Sequence, residues 1–157
     1  MKYLYQGVVD VLLNDADLKD LVGYTNTKKN IRRGYQPEGK WDKLVVFYLQ
    51  TSYPKTDFNS QIREIPLIVR VYDRDDDLNV DDIAERLVLL LDGADLSIAD
   101  KVYVYDCSFG GVLISTNYNE ELKSYEKVLR FIIITRQEEK VGNSGAYPTR
   151  KRKRSWT

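Results

Sequence analysis

The chain has 157 residues, 43% of them hydrophobic and 31% charged, with 24 basic against 24 acidic side chains. That length supports one domain with a core needing neither disulfide nor metal. Histidine is absent and Cys107 is the single cysteine, which excludes Ser-His-Asp and Cys-His catalysis within one chain, an internal disulfide and an ordinary zinc site.

Acid–base chemistry would fall to carboxylates, lysine or tyrosine. No window of about 18 uninterrupted apolar residues is present, so no transmembrane helix is expected. The first residues lack the basic-then-apolar pattern of a secretory signal. The expectation is synthesis in a reducing cytoplasm. The zero net charge hides an asymmetry: Arg150, Lys151, Arg152, Lys153 and Arg154 are consecutive. Taking these five from the 24 basic residues leaves 19 against 24 acidic ones, so the body carries −5.

Residues 3–22 read as an amphipathic helical segment, with Leu4, Val8, Val11, Leu12 and Leu18 near one face. Asn14-Asp15-Ala16-Asp17 is a candidate break, where Asp15 or Asp17 caps a second short helix ending at Gly23. Residues 23–43 are punctuated by glycine, asparagine and proline and read as loop, with a short strand at Ile31-Arg32-Arg33. Leu44 to Leu49 is a near-continuous apolar run, as in a buried strand. Residues 50–64 are polar and read as a long hairpin loop.

Ile65 to Tyr72 is the central strand, with Leu67, Val69 and Val71 on one face. An acidic turn, Asp73 to Asp77, leads into a helix over 80–91 whose Val80, Ile83, Ala84, Leu87, Val88 and Leu91 form one stripe. Asn79 is the expected cap and Asp92-Gly93 the stop. Val102 to Cys107 alternates, Phe109-Gly110-Gly111 marks a bulge or turn, and Val112 to Ser115 resumes the strand. After a polar turn at 117–124, Tyr125 to Arg136 is apolar on both faces, which suits an interior strand.

These elements predict an α+β fold. It has an antiparallel or mixed sheet of about four to five strands, two helices packed on one face, a long hairpin loop and a flexible basic C-terminal tail. The domain is expected over 1–136 and the tail over 137–157.

Several stretches invite a site. Asp73, Asp75 and Asp77 have the spacing of an EF-hand loop, but position six is Leu78 and position twelve is Ala84. Glycine and glutamate are needed there, so the plainer reading is a solvated turn with charges suited to a helix N-terminus. Glu138-Glu139-Lys140 contains the Glu-x-Lys end of a carboxylate–magnesium nuclease motif, with Asp106 as a conceivable partner. The motif is short, and it stands where the strand pattern ends. Arg150 to Arg154 can attract phosphates, solubilise, or dock on an acidic neighbour. Cys107 alternates with Tyr103 and Tyr105 and reads as packing. The chain holds 12 tyrosines, a residue that buries area while keeping a polar handle, and the set favours an assembling protein.

The order of these elements resembles the tail-completion, or tail-terminator, proteins of long-tailed bacteriophages. The resemblance runs through the N-terminal helix, Arg33-Gly34-Tyr35-Gln36-Pro37-Glu38-Gly39, Leu44-Val45-Val46-Phe47-Tyr48, the polar loop, Ile65 to Tyr72, and Ile83-Ala84-Glu85-Arg86-Leu87 closing at Leu91-Asp92-Gly93. It covers about residues 1–136 and is one of pattern and order. The basic run at 150–154 is outside what the family pattern demands.

The resemblance implies a virion protein at the head–tail junction, with no catalysis, cofactor, metal or membrane. It implies a homo-oligomeric ring, usually of six copies, seated on the last ring of tail-tube protein. That ring stops tube growth, meets the head's connector or stopper protein and passes DNA through its lumen. On that basis Asp73, Asp75, Asp76 and Asp77 are candidates for an acidic lumen. Val80, Ile83, Leu87, Tyr103 and Tyr105 are candidates for the subunit interface, and Arg150, Lys151, Arg152, Lys153 and Arg154 for a DNA- or partner-binding tail. Three alternatives stand beside it: a head-side neck protein, a metal-dependent nuclease, and a DNA-binding module.

Overall fold

The computed structural model describes residues 2–50, 53–54 and 62–136. The architecture is α+β, a mixed sheet with helices on one face. The chain runs α1 (Lys2–Leu13), α2 (Ala16–Val22), β1 (Ile31–Arg33), β2 (Lys43–Leu49), β3 (Tyr53–Pro54), β4 (Ile62–Asp73), α3 (Asp77–Leu91), β5 (Tyr103–Asn119) and β6 (Ser124–Arg136). The sheet order is β1-β2-β4-β6-β5, with β3 also paired to β4. All pairs are antiparallel except β1 with β2, which is parallel.

The strand period sets the two faces. Val45 and Phe47 on β2, Leu67, Val69 and Val71 on β4, and Leu129, Phe131 and Ile133 on β6 point to the helices. There they meet Leu4, Val8 and Leu12 of α1, Leu18 and Val22 of α2, and the Val80–Leu91 stripe of α3. The even-numbered Leu44, Val46 and Tyr72 point the other way and are covered by Trp41 and Leu122. Arg74 locks that small cluster. Its guanidinium lies 4.0 Å from the Trp41 ring centroid, and it donates to the carbonyls of Trp41 at 2.8 Å and Leu122 at 2.6 Å. This is why β2 reads as a near-continuous apolar run: both of its faces are covered.

There are three helices where the pattern suggested two, and the reason is local. Asp15 adopts an extended backbone and accepts from the Leu18 amide, which starts α2 afresh. Gly23 closes α2 at φ 73°, a left-handed conformation that favours glycine. In α3 the cap is Asp76, not Asn79, so the helix begins at Asp77. Asn79 lies inside the helix and donates instead to Leu21 O and Asp73 Oδ2.

Phe109-Gly110-Gly111 is a bulge within one long strand and not a turn, since the β5–β6 register shifts between Phe109 and Val112. β6 is interior, between β4 and β5. Much of the 50–64 stretch, and all of 137–157, lies outside the described residues.

One close approach fixes how α1 sits. A Cβ at Gly7 would overlap the main-chain carbonyl of Leu96. Only glycine lets the α1 backbone lie against the segment that joins α3 to β5.

Candidate functional site

The acidic turn divides into one buried residue and three exposed ones. Asp73 is 1% exposed. Its Oδ1 accepts from the amides of Asp75 at 2.9 Å and Asp76 at 3.2 Å, and its Oδ2 from Asn79 Nδ2 at 2.8 Å. Asp73 therefore shapes the turn from inside and cannot line a lumen, which corrects that assignment. Asp75, Asp76 and Asp77 are exposed. Asp76 also accepts from the Leu78 amide at 3.0 Å. Asp17, Asp20 and Asp76 share a shallow cleft with Lys43 and Asn79, so α2 extends the acidic end of the molecule.

The interface candidates split in the same way. Val80, Ile83 and Leu87 are fully buried in this chain's own core. An amphipathic stripe satisfied within its own chain is not available to a neighbour, which corrects the assignment of these three to an interface. The exposed side of α3 carries Leu78 and Leu89, each 69% exposed. Tyr103 and Tyr105 are exposed and pack edge-to-face with ring centroids 4.8 Å apart. The basic run 150–154, and the Glu138 and Lys140 of the nuclease motif, fall outside the described residues. Asp106, its conceivable partner, is exposed on β5.

Sequence reasoning missed a long run of exposed apolar residues on one strand. β5 is the outermost strand on its side of the sheet, and besides the two tyrosines it exposes Phe109, Val112, Leu113, Ile114 and Tyr118. Its signal was present: 17 residues of strand contain one charge, Asp106. An edge strand without charges is one that a partner can cover.

A second feature was also missed. Lys28, Lys29, Arg32, Lys40 and Lys43 surround a cleft of about 410 Å3 beside Trp41. The five cations are scattered over sixteen positions of loop and strand, and only the fold collects them.

Two carboxylates that join separate elements are held in their charged form. The hydrogen bond from Arg86, two-pronged at 2.8 Å and 2.6 Å, keeps the Asp15 carboxyl below its ordinary value and ties α3 to the start of α2. The Thr116 hydroxyl, aided by Lys127, does the same for Asp81 and ties α3 to β5 and β6. Burial pushes the Cys107 thiol up to about 12, so it is an inert packing group. Among the described residues no group of three or more acidic, histidine or cysteine side chains converges in a way that could hold a metal ion.

No family model and no curated protein matches this chain. Solved structures do match, among them a chain of the virion of a native gene transfer agent (GTA) particle, with a TM-score of 0.60 at 17% identity. The match covers 82% of this chain and 91% of that one. At that identity the likeness establishes a shared fold, spanning nearly the whole of the virion chain.

Proposed function

We propose that this chain is a structural virion protein of the tail-terminator kind. On this reading about six copies close into a ring by a repeated head-to-tail contact. The ring caps the phage tail tube, stops its growth and joins the tail to the head connector, with DNA passing through the lumen. The role is steric and interfacial, not catalytic. The observation that carries the reading is the fold shared with a chain of the gene transfer agent virion; the tail-terminator role itself comes from the sequence resemblance. A 17-residue edge strand with exposed aromatic and aliphatic side chains also suits a protein that works by assembling. Asp75, Asp76 and Asp77 remain candidates for the lumen, where like charge would let the DNA backbone slide.

The test is native mass by light scattering, with negative-stain imaging of the largest species, alone and with purified tail tubes. Closed rings, or density at one end of each tube, are expected. A protein that stays monomeric and leaves tube ends bare would overturn the reading. Binding to isolated connectors but not to tubes would move it to the head side of the joint.

The cationic cleft favours a second reading, a DNA-binding module. It predicts salt-sensitive binding to duplex DNA, lost on changing Lys28, Lys29 and Lys40 to glutamate. The nuclease alternative predicts magnesium-dependent cleavage abolished by Glu138→Ala.

A further inference from the structure

We infer that the outer edge of β5, centred on Leu113, is the surface by which one copy of this chain packs against the next. Its counterpart on the next copy is the groove beside Tyr35 at the opposite margin of the sheet. The inference rests on the ring reading and names the contact that would build it.

The main-chain edge of β5 is bonded over its first half and, among the described residues, open over its second. The segment after α3 crosses the edge. Gly93 N donates to Cys107 O at 2.7 Å, the Phe109 amide to Asp92 Oδ1 at 3.0 Å, and the Val104 amide to Ser97 Oγ at 2.8 Å. From Val112 to Tyr118, among the described residues, no main-chain bond from outside the sheet reaches the strand. That bare half is where consecutive apolar residues, Val112, Leu113 and Ile114, are all exposed. Register shifts at 109/112, 112/114 and 114/117 break the ladder. A bulged edge is a poor template for strand addition. The contact it suits is side-chain packing, which limits growth to a shaped partner.

The area is sufficient. Taking about 150–230 Å2 for each aliphatic or aromatic side chain when fully free, the exposed fractions leave roughly 300 Å2 of apolar surface from Val112 to Tyr118 and about as much again on Tyr103, Tyr105 and Phe109, roughly 600 Å2 in all. That is the upper end of what monomers leave open. It is also most of the ~800 Å2 that each partner contributes to a standard interface. The strand has no cation, so it does not suit nucleic acid, whereas a protein surface does.

The same chain offers a complement. β1 is the opposite edge strand and only three residues long. The chain following it forms a groove of about 670 Å3 lined by Arg32, Arg33, Gly34, Tyr35, Gln36 and Glu38. Tyr35 is 65% exposed and rests on Tyr48 with ring centroids 4.7 Å apart. Its two arginines, Arg32 and Arg33, outnumber its one carboxylate, Glu38. The single charge on β5, Asp106, stands before the bulge and away from Leu113, so apolar character carries the match and no charge on the open half opposes it. Because they lie on opposite margins of one sheet, each copy uses both, and a closed ring leaves neither bare.

Leu113→Asp and Tyr35→Asp in the full chain test this, with rings scored in solution and on tube ends. Both positions are exposed, so each variant should keep the urea midpoint of the wild type. Each alone is expected to lower the ring fraction at least tenfold and leave monomers. An equimolar mixture is expected to stop at heterodimers, because one intact groove meets one intact edge. Rings that persist in Leu113→Asp would overturn the β5 contact while leaving the ring reading standing. Homodimers of Tyr35→Asp, or a mixture that stays monomeric, would overturn the Tyr35 counterpart. A wild-type protein that forms no ring, alone or on tubes, would take both readings down together.

Discussion

Asp73 offers a test of the difference between an acidic residue that builds the turn and one that decorates it. Replacing it by alanine removes the acceptor for the amides of Asp75 and Asp76 and for Asn79 Nδ2. Leaving a buried donor unpaired costs about 1–3 kcal/mol, and bonds to a charged acceptor sit at the upper end. The three losses do not add in full. Asp75 and Asp76 are exposed, so water can reach their amides, and Asn79 keeps its bond to Leu21 O. The expected net loss is about 2–3 kcal/mol, or roughly 5–10 °C in Tm for a domain of this size. Asp73→Asn should fall between, since Oδ1 survives while a new amide group faces Asn79. Urea unfolding followed by circular dichroism measures all three proteins. Asp75→Asn, on the exposed side of the same turn, should stay within about 0.5 kcal/mol of wild type. Equal midpoints for the Asp73 and Asp75 variants would refute the division of roles.

Other consequences follow from packing and charge. Leu87→Ala should cost about 2–5 kcal/mol by leaving a cavity among the sheet residues beneath α3, while Leu89→Ala on the exposed side should be near neutral. Comparing their urea midpoints checks both. Gly7→Ala should destabilise despite alanine's better helix propensity, by about 1–3 kcal/mol, because the added methyl meets the Leu96 main chain and forces α1 away. A midpoint equal to or above wild type would show that α1 can shift freely. Asp15 is held below its ordinary value chiefly by Arg86. Its stabilising contribution is therefore present above the unfolded carboxylate range, near pH 4, and is lost as pH falls through the lower folded value. Acid titration of stability should be steeper in the wild type than in Asp15→Asn below about pH 4. Parallel curves would argue that the Arg86 contact is not maintained in solution.

The sequence by itself determined the elements and their faces. Period-two apolar residues placed Leu67, Val69 and Val71 on one side of the central strand, and period-3.6 residues placed Val80, Ile83 and Leu87 on one side of the last helix. Both patterns record burial, which is local in sequence. For the same reason those helix residues could not serve a neighbour: a stripe regular enough to be legible is one the chain's own core has used.

What only the tertiary structure decided depends on contacts far apart in the chain. Whether Asp73 faces water or the turn was settled by Asn79 and two amides, not by its being one of four aspartates. Which strand is the bare edge followed from β6 lying between β4 and β5, with the 92–97 segment crossing half of the outer strand. The cleft of Lys28, Lys29, Arg32, Lys40 and Lys43, and the placing of Tyr35 and Leu113 on opposite margins of one sheet, exist only once the sheet is ordered. Charge and exposed area on the surface carry no periodic signature, because no packing partner within the chain imposes one.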